Sequence, residues 1–425
     1  MYRRFNGKVY SVGNGFCYEG LIGIKNQYHF VIDCGSIPSS KKKKTKQLVN
    51  SAMCKLRLEE IAEEIANNGK WIDLFVLSHL HQDHYNGYLK LFSKTKVDTI
   101  IMPYLYPEER LCILINSDMN EEEALFYANP YQRILEVARE NYPEARLVLV
   151  RGNKVEQESE IEHIDSDNGN ISWGEPYEDI ENILAIEELD VKNTEVVKAT
   201  FRGVKIPKPN WMFKFFNVEV DKTEIDDLKK IVGKLDAKRL HDIIISDLTK
   251  VKGKYGMIAK HLRNKLNNTS IVVYHAPYCC YEVCCKRVNE KMECGCGSLI
   301  TGDINLNYYS HDILKFFQNE IKTVGLFSLP HHGSEYNWNI NFIDKGELDG
   351  TVCFSSSYNY YPNRLVPDML SDLRSHNIQV LVVDENRFSE FEQEIFVDCN
   401  RGWCICHHEL YRPNKFGCVI FRIII

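Results

Sequence analysis

No stretch of this 425-residue chain approaches the ~18 consecutive apolar residues of a membrane span. The opening Met1-Tyr-Arg-Arg-Phe-Asn-Gly7 lacks the apolar core of a secretory signal. Membrane insertion and export are therefore not expected, and the expected location is the cytoplasm. No internal repeat recurs at a fixed period, so a stacked-repeat architecture is not expected either. Cysteine is not scarce, at fifteen residues, but the count is odd and the chain is large. Reduced thiols or thiolate metal ligands are expected in place of a disulfide framework. A strong positive charge is also lacking. The net charge is −7, which weighs mildly against a nucleic-acid partner.

That charge is uneven. Residues 154–200 hold fourteen Asp or Glu against three Lys, so the rest of the chain carries +4 of the total −7. This acidic stretch is a candidate mobile insertion and a possible contact for a protein partner. What remains is ordinary for a globular protein, with 44% hydrophobic and 26% charged residues. The length suits one large α/β domain with insertions or two domains of usual size.

Glycines punctuate a strand pair over residues 8–34, ending in Tyr28-His-Phe-Val-Ile-Asp-Cys34. Apolar Leu58, Ile61, Ala62 and Ile65 predict a helix over about 56–66, stopped at Asn68-Gly69. Ile72 to Leu77 is almost wholly apolar, as in a strand buried on both faces. A helix near 88–93 and a strand over 97–102 follow. From about 104 to 265 the pattern loosens into helices, a strand over 146–150, the acidic stretch and a strand from Trp211. Regular strands resume at 270–274, 298–301, 325–329, 352–355, 380–383 and 418–425.

The densest chemistry is Ser78-His-Leu-His-Gln-Asp-His-Tyr-Asn-Gly87, directly after the buried strand. His79, His81, Asp83 and His84 offer nitrogen and oxygen donors suited to Zn²⁺, Mn²⁺ or Fe²⁺. His79-x-His81 places two rings alike, and Asp83-His84 can face a second ion. Two later apolar strands end in Thr301-Gly-Asp303 and in Pro330-His-His-Gly-Ser334. Loops after strand ends gather at one edge of an α/β sheet, so all three segments can converge.

The His-x-His-x-Asp-His segment resembles the signature of the metallo-β-lactamase superfamily. Asp33 is similar to its supporting aspartate, Asp303 to its metal-bridging carboxylate, and the His331–His332 pair to its final histidine. Thr-Gly-Asp followed by His-His-Gly-Ser resembles a ComEC-like and phosphorylcholine-esterase-like subgroup. The segment from Asn267 to Val273 resembles the strand opening that there replaces a mid-chain histidine ligand. Ser355 and Asn359-Tyr-Tyr-Pro362 resemble a downstream element of that subgroup, although Tyr361 stands where a histidine usually precedes the proline. The resemblance covers about 1–103 and 266–425, the two halves of the fold, with 104–265 as a helical and acidic insertion that is partly core.

The resemblance implies a four-layer αβ/βα sandwich with a large insertion and two divalent metal ions, zinc or manganese, at one edge. It implies His79 and His81 on one ion, Asp83 and His84 on the other, Asp303 as bridge and His332 completing the second site. Asp33 and Asn267 are implied as supporting residues. His331 is left to contact the substrate's developing charge, so Asp83, Asp303 and His331 form the catalytic set. Two cations roughly 3.5–4 Å apart lower the pKa of a shared water and stabilise attacking and leaving oxygens. Without the mid-chain histidine, the first ion is poorly furnished.

The implied activity is hydrolysis by a phosphodiesterase or nuclease, with nucleic acid the favoured substrate. A small phosphodiester or a cyclic ester such as a lactone is the alternative, and a metal-binding sensory module without turnover is the third reading. Lys41, Lys42, Lys43 and Lys44 read first as a solvated loop and secondly as phosphate contacts. Between Cys279 and Cys296, the thiols of Cys280, Cys284, Cys294 and Cys296 fit a structural zinc loosely, and small residues on a reduced hairpin fit better. Cys399, Cys404, Cys406, His407 and His408 form a second, weaker group.

Overall fold

The computed structural model describes residues 2–23, 28–38, 44–116, 121–152, 173–198, 204–207, 209–218, 222–246, 253, 269–278, 295–356, 364–383, 390–398, 403–414 and 417–424. Three strands open the chain where two were expected: β1 (Tyr2–Val9), β2 (Cys17–Ile22) and β3 (Tyr28–Cys34). In β1, Phe5, Gly7 and Val9 are buried while Arg4, Asn6 and Lys8 are less so. This is one-sided alternation whose charged half masks the strand signal. The first helix, α1, runs Lys44–Asn68, well beyond the expected 56–66. Met53 and Leu56 on its exposed side blur the helical period there.

Four strands continue the first sheet as parallel neighbours of β3: β4 (Trp71–Val76), β5 (Lys96–Pro103), β6 (Arg146–Arg151) and β8 (Thr194–Lys198). A two-residue strand, β7 (Glu175–Pro176), pairs antiparallel with β8 at the edge. The second sheet comprises β9 (Val204–Ile206), β10 (Trp211–Phe216), β11 (Val272–Pro277), β12 (Gly297–Ile300), β13 (Val324–Ser328), β14 (Val352–Ser356) and β15 (Gln379–Val383). Its β12 to β15 are parallel neighbours. The chain then returns to the first sheet with β16 (Glu390–Asp398), β17 (Trp403–Asn414) and β18 (Gly417–Ile424), and β16 pairs with β1. The strand orders are 18-17-16-1-2-3-4-5-6-8-7 and 15-14-13-12-11-10-9, so the protein is a mixed α/β fold of two mixed sheets.

Three apolar clusters hold these parts. One joins both sheets, with Phe5, Phe30, Leu74 and Val148 from the first and Trp211, Phe213, Ile300 and Phe354 from the second. Each such side chain contributes about 1.5–3 kcal/mol on full burial. A second cluster packs α1 and the helices of residues 88–141 on the first sheet. The third packs the helix Leu306–Phe316 and its neighbours on the second sheet. The segment 104–265 is thus not appended to the fold. It supplies β6, β7 and β8 to one sheet and β9 and β10 to the other.

The acidic stretch divides. Residues 153–172 lie outside the described residues, whereas 173–198 carry β7, a helix Ile180–Ile186 and β8. Within that half, Glu187 is fully buried and Arg110 Nη2 donates to both its oxygens, at 2.9 and 2.8 Å. Among the described residues no helix is long and apolar enough to cross a membrane.

Candidate metal centre

Because β3 and β4 run parallel, their C-terminal ends deliver Asp33 and the His79–His84 loop to one sheet edge. The parallel β12, β13 and β14 likewise deliver Asp303, His331–His332 and Ser356 from the second sheet. Hydrogen bonds lock the two edges together: Ile271 N–H donates to Ser78 O at 2.8 Å, and Ser356 Oγ to Gly15 O at 2.7 Å. Within the first edge, Phe16 N–H donates to Asp83 O at 3.0 Å. The His79–His84 loop also lies flat against Gly35. A Cβ on Gly35 would sit 2.5 Å from the backbone of Asp83 and His84.

The Asp303 carboxylate is 2% exposed and is ringed by imidazoles. Its Oδ2 lies 3.5 Å from His79 Nε2 and 3.6 Å from His331 Nε2. Its Oδ1 lies 3.3 Å from His84 Nε2 and 3.9 Å from His332 Nε2. His332 Nε2 is also 3.3 Å from Asp83 Oδ2. Two triplets are close enough to share an ion: His79, His84 and Asp303, and Asp83, His84 and His332. His81 and His331 stand outside both triplets. The His81 ring meets His79 edge-on at 4.7 Å between centroids. His79 shares its triplet with His84 in place of the expected His81, and His84 belongs to both triplets.

Hydrogen bonds orient three of these rings alike. Asp33 Oδ2 accepts from Ser78 Oγ at 2.6 Å, leaving that oxygen to accept from His79 Nδ1 at 3.0 Å. His84 Nδ1 donates to Asp33 Oδ2 at 2.7 Å, and His332 Nδ1 to Ser356 O at 2.8 Å. Each ring therefore turns its Nε2 toward Asp303. The Nε2 atoms of His79, His84 and His332 and the Oδ1 of Asp303 are buried with no hydrogen-bond partner. Buried polar atoms left without partners are costly and call for an explanation. Divalent cations fit this donor set: imidazole nitrogen and carboxylate oxygen, oriented from behind and otherwise unsatisfied. A cavity of about 10 Å³, bordered by Phe16, His84, Asp303 and His332, adjoins them.

Electrostatics point the same way. Burial pushes His332 down to about 4, and burial together with the neighbouring His79 pushes His81 down to about 3, so both stay neutral and ligand-competent. Burial opposes charge on Asp83 and Asp303, yet the surrounding histidines hold both carboxyls below the usual range. His84 moves upward against burial, because Asp33 and Asp303 attract the proton a cation would displace.

The backbone carries strain here. Asp33 has φ 57°, and His331 and His332 have φ 47° and 56°, left-handed conformations that cost non-glycine residues of order 1–3 kcal/mol each. The His-His turn is held by His331 N–H to Gly302 O at 3.0 Å and by Ser355 Oγ to His332 O at 2.8 Å.

Other expected residues lie elsewhere. Asn267, Lys41, Lys42, Lys43, Cys280, Cys284, Cys294, Cys399 and the 359–362 segment fall outside the described residues. Lys44 begins α1, so the basic run is not wholly loop. Cys296 is fully buried in the cluster between the sheets. Cys404, Cys406, His407 and His408 lie along β17. In the segment that lacks a mid-chain histidine, Ser270 Oγ accepts from Asp303 N–H at 3.2 Å. His275, a conceivable substitute ligand, is instead buried between the sheets, where Tyr18 Oη lies 3.1 Å from its Nε2 and Trp211 Nε1 donates to Nδ1 at 3.4 Å. The sequence did not single out Ser78, Ser356 or Asn337 as site residues, and of these only Ser78 carries a signal, its place beside His79. No protein-family model matches the chain, and no curated protein matches it.

Proposed function

We propose that this protein is a metal-dependent hydrolase of the metallo-β-lactamase type that cleaves phosphodiesters, with nucleic acid the favoured substrate. The observation that carries the reading is the buried Asp303 carboxylate, faced by unsatisfied Nε2 atoms of His79, His84 and His332. The two sheets, apolar between them and helix-covered outside, support a four-layer αβ/βα sandwich. His79, His81, Asp83, His84, Asp303 and His332 would hold two divalent cations, zinc or manganese. Bound there, these would polarise a phosphoryl oxygen and lower the pKa of a water.

The chain's own residues do the rest. Asp33 fixes the His84 ring and, through Ser78, the His79 ring. Ser356 fixes His332 by its carbonyl. Asp303 lies between the two groups of imidazoles with one oxygen toward each. The ester class follows from the resemblance of the Thr-Gly-Asp and His-His-Gly-Ser segments, which is an analogy of motif.

The test is hydrolysis of labelled single- and double-stranded DNA and RNA beside a chromogenic phosphodiester and a lactone, each with Mn²⁺ or Zn²⁺. Metal-dependent cleavage of nucleic acid, weakening as salt rises because counterions are displaced on binding, is expected. Turnover of the lactone alone, insensitive to salt, would replace the phosphodiester reading with the ester one.

A further inference from the structure

His331 is the one imidazole around Asp303 that the motif reading leaves without a ligand's task. Its side chain is 29% exposed, and its Nε2 faces the same Asp303 oxygen as His79 does. What stands behind it is Asn337, in the short turn Glu335–Asn337 and 6% exposed. Asn337 Nδ2 donates to Asp303 O at 3.0 Å and reaches Ile304 O at 3.4 Å. Its Oδ1 lies 3.2 Å from His331 Nδ1.

These contacts fix the amide's direction. Carbonyl oxygens only accept, so the Asn337 atom facing Asp303 and Ile304 must be the NH₂ group. The atom facing His331 is then the amide oxygen, which also only accepts. His331 Nδ1 must carry the proton, and in the neutral ring Nε2 keeps its lone pair. The polarity therefore matches that of His79, His84 and His332, whose Nδ1 atoms are bonded to Ser78, Asp33 and Ser356.

We infer that Asn337 is a positioning residue that holds His331 with Nδ1 protonated, so that His331 presents a lone pair to the Asp303 Oδ2 side and serves as a cation ligand there. This replaces the contact with the substrate's developing charge that the sequence suggested. It also gives the first cation position a nitrogen in place of the missing mid-chain histidine. Asn337 couples this ring to the Asp303 loop itself, since one amide bonds both. The ligand role rests on the metal-centre reading, whereas the tautomer does not.

The test separates the two. Nitrogen NMR of the metal-free full-length protein, labelled at histidine and assigned with His331→Gln, reads the tautomer directly. A protonated Nδ1 with a bare Nε2 is expected. In Asn337→Leu the preference is lost, and in Asn337→Asp, which keeps an acceptor, it is retained. A neutral ring protonated at Nε2, or a tautomer unchanged in Asn337→Leu, would overturn the inference, with circular dichroism confirming that the variants fold. Zinc titration of the same proteins is expected to show one of two sites weakened about 10–100-fold in Asn337→Leu and in His331→Gln, as for lost outer-shell partners and ligands. Two unaltered sites in both variants would remove His331 from the ligand set. Failure of the hydrolase reading would instead appear as absence of turnover with these tautomer and zinc results intact.

Discussion

His84 Nδ1 lies 2.7 Å from Oδ2 of Asp33, a carboxylate that also receives the amide and the hydroxyl of Ser78, each at 2.6 Å. One buried side chain thus orients two rings, His84 directly and His79 through Ser78, while standing behind both. Asp33→Asn tests this relationship. Asparagine tolerates the left-handed backbone at this position and can still accept from the Ser78 amide. It cannot accept from Ser78 Oγ and His84 Nδ1 as the carboxylate does. Zinc affinity is expected to fall about 10–100-fold with the fold retained, measured by competition with a chromogenic chelator. Unchanged affinity would contradict the orienting role.

Gly35 is the point where the first sheet meets the ligand loop. A methyl group there would press on the backbone of Asp83 and His84, and backbone on both sides leaves little room to relax. Gly35→Ala is expected to destabilise the protein by about 1–3 kcal/mol and to impair metal binding more than Gly350→Ala, a site with open space around the added atom. Urea unfolding and metal titration of the pair of variants would check it. Because Gly350 has φ 75°, its own cost is one of backbone strain alone.

The Arg110–Glu187 pair tests whether the segment 104–265 belongs to the core. Both side chains are fully buried. At about pH 8.5, where Glu187 is ionised, removing one partner strands a buried charge, so Arg110→Met or Glu187→Gln alone is expected to cost about 3–5 kcal/mol. The double variant should cost less than the sum of the two. Additive losses in denaturant unfolding would show that the pair is not coupled.

The same glutamate gives a pH signature. Burial outweighs Arg110 and pushes the Glu187 carboxyl up to about 7, above the ~4.3 of an exposed glutamate. The folded chain binds this proton more tightly than the unfolded chain does. The group's stabilising share is therefore full below about pH 4.3, declines as pH rises and is lost above about 7. Glu187→Gln is expected to flatten that part of the stability profile between pH 5 and 7. An identical slope in the variant would contradict the shift.

The residues proposed as ligands were legible because they are local. His79, His81, Asp83 and His84 sit within six residues after an apolar strand, and Asp303 follows a glycine at another strand's end. The residues that aim them were not. Ser356 acts through its backbone carbonyl, and Asn337 through bonds that exist only once two loops meet. The parallel strands of both sheets were found by their apolar runs except β8, hidden in the acidic stretch, and β16 was missed although Glu390-Phe-Glu-Gln-Glu-Ile395 alternates. Its acidic half lowers the hydrophobic signal, and its place beside β1 is set by a pairing some 390 residues away in sequence. How far the segment 104–265 joins the core was hard to read for a related reason. Glu187 reads as one more surface acid until Arg110 is found against it.

Metal binding by the purified chain tests the account at its centre. The measurement is elemental analysis and calorimetric titration of the parent and of Asp303→Asn, with circular dichroism to establish that both fold. Two divalent ions per parent chain are expected, together with loss of at least one and of hydrolytic turnover in Asp303→Asn. A folded parent that binds no divalent metal, or an Asp303→Asn variant with undiminished metal and activity, would contradict the proposed centre.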